Sequence, residues 1–179
     1  MRLHQGFSWT HYRRTILDDQ LMPIDIEPER SIHAPRCVPR NDRDLGPFAD
    51  WDRWRPIVLA HDLLVETMYP GYALGTGDDL DDAMDHSVRL AIDIAHLSIQ
   101  REAGVLSDTT LERLLRYPHT GEVHVSRSNR GRDTHSPLRC DTPLLGWAKE
   151  QIDVAPVVVE SYWHRLSEAQ QIAQLNLLR

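Results

Sequence analysis

Apolar side chains along this chain recur mostly at steps of three and four, the spacing that stacks them on one face of a helix. Ser8 can cap a first helix over about residues 9–20, with Trp9, Tyr12, Ile16 and Leu17 facing inward. Pro56 suits the first turn of a second helix, about 56–69, closed by Pro70-Gly71. Leu80, Met84, Val88, Ala91, Ala95 and Ile99 predict a third helix over about 79–103, with Gly104 just past its end. Ser107 caps a fourth helix to about 117, residues 144–152 read as a fifth, and Ser167 caps a last one to about Leu178. Glu122–Val125 alternates like a short strand, and the β-branched run Val157-Val158-Val159 behind Pro156 suggests an edge strand or its start.

These elements predict a mainly α fold with a few short strands, a compact helical core built around the antiparallel pair of the second and third helices. Residues 1–179 read as one domain, since no repeat or low-complexity tract divides them. Within it, residues 22–49 carry Pro23, Pro28, Pro35, Pro39 and Pro47, which forbids a long helix there and predicts an irregular arm or lid.

Charge sharpens the picture only when it is divided. The chain has a net charge of −7, and residues 56–105, with two basic and nine acidic residues, account for all of it. An acidic chain lacks the basic footprint that nucleic acid demands. No run of apolar residues is long enough for a membrane span, and Met1–Phe7 has no apolar leader segment. Two cysteines, Cys37 and Cys140, make no disulfide framework, so a cytoplasmic, reducing setting is expected.

Candidate chemistry follows from the acidic pair of helices. Asp62 and Glu66 are four apart on the second helix, and Asp82 and Asp85 are three apart on the third. Carboxylates from two facing helices can hold Mg²⁺ or Mn²⁺, which need several oxygens at once. His61 or His96 would orient water, and Arg127, Arg130 and Arg132 in the polar stretch 126–142 would hold phosphate. His119, His124, His135 and Cys140 offer zinc-type ligands, but at spacings wider than structural zinc sites use.

Two resemblances point the same way. Val58-Leu59-Ala60-His61-Asp62-Leu63-Leu64 resembles the His-Asp doublet helix of the HD-superfamily metal phosphohydrolases, with His33 standing for the upstream His and Asp93 for the distal Asp. Asp82-Ala83-Met84-Asp85, followed by Val88 to Ala95, is similar to the acidic helix of the all-helical MazG and dUTPase-like pyrophosphohydrolases, with Asp62 and Glu66 standing for the other half. Both imply divalent metals on helix carboxylates, activating water against a phosphoryl group. The reading is a metal-dependent phosphohydrolase acting on a small nucleotide-like substrate. The alternative is a non-catalytic inhibitor or adaptor that offers its acidic helix pair and proline-rich arm to a basic protein surface.

Overall fold

The computed structural model describes residues 31–38, 48–162 and 165–179. The helix expected at 9–20 and Trp163 lie outside them, as does most of the 22–49 segment. The described elements, in chain order, are α1 (Trp51–Ala60), β1 (Val65–Glu66), α2 (Gly77–Asp85), β2 (Leu90–Asp93), α3 (Ile94–Glu102), α4 (Asp108–Leu114), β3 (Thr120–Val125), β4 (Arg127–Asn129), β5 (Arg132–Ser136), α5 (Leu145–Glu150), β6 (Val157–Val159) and α6 (Glu168–Leu177).

The centre of the molecule is a parallel sheet in the order β1-β2-β3-β6. Ile32 adds one more parallel bridge, to Val65. The mainly α expectation is therefore corrected to α/β, and the antiparallel helix pair does not exist. Each half of that pair contains a strand. The second helix ends at Ala60, His61 is its C-cap, and Asp62 turns the chain with φ of 47° before β1. The third is broken at His86 and Ser87, whose φ is 57°, and resumes as α3 only after β2. β2 is buried at all four residues, and a short run buried on both faces has no polar phase to separate strand from helix.

The sheet has two unlike faces. Register sets Ile92 beside Val123, Val123 beside Val157 and Val125 beside Val159. With Ile32, Val65 and Leu90 these form the apolar face. It packs on Trp51, Trp54 and Val58 of α1, Leu80 and Met84 of α2, Leu111 and Leu114 of α4, and Leu145 and Ala148 of α5. The opposite face takes the alternate residues, Glu66, Asp93, Glu122 and His124, and these are buried as well. Strands follow one another in sequence order without reversal; α2, α4 and α5 of the connections gather on the apolar side, while α3 lies against β3 and the hairpin β4–β5.

Several ends are set by caps legible in the sequence. Ser107 caps α4, Ser167 and Gln170 form a capping box on α6, and Gly104, with φ of 73°, follows the C-cap of α3. The polar stretch 126–142 contains the antiparallel hairpin β4–β5, turned by Arg130 and Gly131 with φ of 51° and 67°, the left-handed pair that two-residue hairpin loops use. No described helix is long and apolar enough to cross a membrane.

The sheet carries a direct stability test. Ile92 is fully buried on the apolar face, whereas Leu59 on α1 is exposed. Ile92→Ala is expected to cost about 2–5 kcal/mol in denaturant unfolding, and Leu59→Ala no more than about 0.5 kcal/mol.

Candidate metal centre

Every strand of the sheet delivers a ligand-type side chain at or just past its C-terminal end. Glu66 ends β1, Asp93 ends β2, His124 stands one residue before the end of β3, and Glu160 follows β6. One donor atom from each lies within 4.8 Å of the others, and all four side chains are buried. Bonds of 2.0–2.2 Å to one ion place its donors roughly 3–4.4 Å apart, so the gathering is close to a coordination shell.

The local supports are specific. Asp93 is also the N-cap of α3: its Oδ1 accepts from His96 N at 2.8 Å, and its own N–H donates to Thr67 Oγ1 at 3.0 Å. That fixes the carboxyl and leaves Oδ2 for the centre. His124 stands between two sets of partners. Its Nδ1 faces Glu160 Oε1 at 3.0 Å and Glu66 Oε2 at 3.5 Å, whereas its Nε2 faces Ser31 Oγ at 3.1 Å and Glu122 Oε2 at 3.4 Å. A carboxylate behind a ligating imidazole is the usual device for fixing its tautomer, and Glu122 has that place here. His33 Nε2 meets Glu66 Oε2 at 2.9 Å from the edge of the sheet.

A second group adjoins the first. His96 Nδ1 lies 2.8 Å from the Thr67 carbonyl and 3.2 Å from Glu66 Oε1. A carbonyl only accepts, so Nδ1 carries a proton, and Nε2 is the nitrogen that a cation could take in place of its proton. Among the described residues that Nε2 is buried without a hydrogen bond, and it faces Asp133 Oδ2 at 3.4 Å. His135 Nε2 reaches the same oxygen at 3.2 Å, and its Nδ1 is 3.7 Å from Glu160 Oε2. Asp133 and His135 are two apart on β5, so the hairpin turns both toward the centre. His135 does this with φ of 43°, a conformation that side chains other than glycine rarely adopt.

Burying so many acids together displaces their titration. Burial, with the charges of Glu160 and Glu66, pushes Asp93 up to about 8, against the pull of His96. Burial also opposes ionisation of Glu160, yet His124 holds it down at about 2. His96 and His124 lie well above the ordinary imidazole value: burial works against their charge, but Asp93 and Asp133 prevail at the first and Glu66 and Glu160 at the second. The set holds protons where positive charge is needed, the condition that a cation relieves on binding.

Of the residues singled out in the sequence, Glu66 and His96 belong to this centre. Asp62 does not: it lies before β1, mostly exposed, 3.6 Å from Arg89. Asp82 and Asp85 sit on α2, which packs on the apolar face, and both are engaged. Asp82 accepts from Trp51 Nε1 and Arg55 Nη1, each at 2.6 Å, and Asp85 pairs with Arg113. His61 is exposed at the end of α1. Arg130 and Arg132 are exposed, and Arg132 alternates with Asp133 and so points away from the centre; Arg127 donates to the Pro137 carbonyl at 3.4 Å. His124 and His135 of the zinc-type set join the centre, while His119 stands at the start of β3 and Cys140 is exposed. His33 and Asp93, the outlying members of the HD resemblance, reach it, but the His-Asp doublet does not.

Glu122, Asp133 and Glu160 were missed. Their signals are the strand alternations Glu122-x-His124 and Asp133-x-His135, and a carboxylate closing a Val-rich strand. A cavity of about 610 Å³ lined by Met84, Ser87, Tyr117 and His119 opens at the other end of the strands, before β2 and β3, away from this chemistry. No protein-family model, curated protein or solved structure matches the chain.

Asp82→Asn and Asp85→Asn test the relocation of the acidic chemistry. Calorimetric titration with Mn²⁺ or Zn²⁺ is expected to give the same isotherm for both variants as for the native chain.

Proposed function

We propose that this protein is a metal-dependent enzyme whose centre is built from Glu66, Asp93, His124 and Glu160, with His96, Asp133 and His135 offering an adjoining second position. The observation that carries this reading is the convergence of four buried donors from four strands within 4.8 Å. Parallel sheets bring ligands and catalytic groups to the C-terminal ends of their strands, where all four stand. Imidazole mixed with carboxylates suits Mn²⁺, Fe²⁺ or Zn²⁺ better than Mg²⁺, so of the Mg²⁺ or Mn²⁺ expected from the helix pair this centre favours Mn²⁺. A metal among protein ligands binds an oxygen donor and lowers its pKa, or polarises a substrate oxygen.

A phosphate clamp of the kind expected from the sequence finds no support beside this centre, because Arg130 and Arg132 are exposed. The class that remains is a metal-activated reaction on a small molecule that fits a deeply enclosed centre. The acidic face imagined for a basic protein partner is largely occupied, since Arg55 and Arg113 already pair with Asp82, Asp81 and Asp85.

The test is metal binding by the chelator-treated full chain. Saturable binding of Mn²⁺, Co²⁺ or Zn²⁺ is expected, with two ions per chain at saturation and one in His135→Ala. Asp93→Asn keeps a good helix cap and removes a charged ligand. It is expected to retain the native circular dichroism and lose at least about 100-fold in affinity, and Glu122→Gln about 10–100-fold. Failure of the native chain to bind any of these ions overturns the reading, as does native affinity in Asp93→Asn and His124→Ala together.

A further inference from the structure

Among the described residues, one buried hydroxyl close to the centre in the fold has been given no part. Ser126 follows β3 and is fully buried, and its Oγ has no hydrogen-bond partner among the described residues. Alternation from Glu122 through His124 puts Ser126 on the same face of the sheet, one step nearer the C-terminal end. There it stands beside Glu160, whose N–H donates to the Val125 carbonyl at 3.1 Å. The hairpin carrying Asp133 and His135 begins at the next residue. Ser126 thus stands between β3, which carries His124, and the hairpin, which carries Asp133 and His135, with Glu160 beside it across the sheet.

A hydroxyl sealed from water and left unpaired is destabilising, and native interiors rarely keep one without a reason. Alanine or valine would fill the place without that cost, as Val123 and Val125 do on the other face. The hydroxyl is therefore explained by a partner that arrives with the ligand.

Building on the metal reading, we propose that Ser126 is the residue that receives the centre's exchangeable ligand. With an ion held by Glu66, Asp93, His124 and Glu160, its Oγ–H would donate to a carboxylate-type oxygen of a small ligand entering the centre. The hydroxyl selects oxygen donors with a lone pair to spare, and its enclosure selects small ones.

The experiment uses the Co²⁺-loaded full chain, with formate as the probe ligand and the visible Co²⁺ spectrum as the readout. Ser126→Ala is expected to bind Co²⁺ as the native chain does and to bind formate about tenfold more weakly, the loss of one hydrogen bond to a charged acceptor. Ser126→Thr, which keeps the hydroxyl, is expected to restore most of the affinity. Native formate affinity in Ser126→Ala overturns the proposal while leaving the metal reading intact. So does loss of Co²⁺ binding in Ser126→Ala, which makes the residue part of the metal's own support, and so does a native centre that takes Co²⁺ but no formate. A native chain that binds no Co²⁺ overturns the metal reading itself, and this proposal with it.

Discussion

Three carboxylates and an imidazole buried on one face of a sheet impose the constraint around which the rest of the molecule is arranged. Such a set stays folded only if its charge is neutralised, by a proton kept on a carboxyl or by positive charge placed among the acids, because neither water nor an apolar wall can absorb the repulsion. The four histidines that reach these acids, His33, His96, His124 and His135, can supply that charge as protons, and a cation can supply it instead. The apolar face bears the complementary duty. Cohesion comes from the two apolar clusters that pin α1, α2, α4 and α5 to the other side. The asymmetry of the sheet separates cohesion from chemistry by the thickness of one layer.

The sequence was most legible where a single residue decides the outcome. Ser107, Gly104 and Ser167 marked helix ends correctly because each satisfies backbone groups that nothing else there can satisfy. It was least legible where tertiary burial replaces periodicity. Leu90–Asp93 reads as the middle of a helix because its neighbours, Met84, Val88, Ala95 and Ile99, keep the helical phase on either side. Val65-Glu66 is too short to show any period at all. Those two strands carry Glu66 and Asp93, so missing them moved the centre from the end of a sheet to the side of a helix pair.

The same error explains which site residues were found. Glu66 and His96 were chosen for a helical geometry that does not exist, yet they meet across β1 and α3, with His96 Nδ1 at 3.2 Å from Glu66 Oε1. Asp82 and Asp85 had the more regular spacing and turned out to organise the outside of α2 with Arg55 and Arg113. Spacing reports which side chains share a face of one element. A centre assembled from one residue per strand leaves no such trace, and its sequence marks are the two-residue alternations on β3 and β5 and the carboxylate that closes the Val-rich β6.

Asp93 holds two offices at once, with one oxygen closing the first turn of α3 and the other turned to the buried cluster. Selection therefore grips it from two directions. In a descendant chain that had abandoned its chemistry, His124, Glu160 and His135 would be released to drift, while position 93 would still be confined to the few side chains that can begin a helix. An aspartate or asparagine surviving there amid lost neighbours would be the fossil of a centre, preserved by architecture after its use had ended.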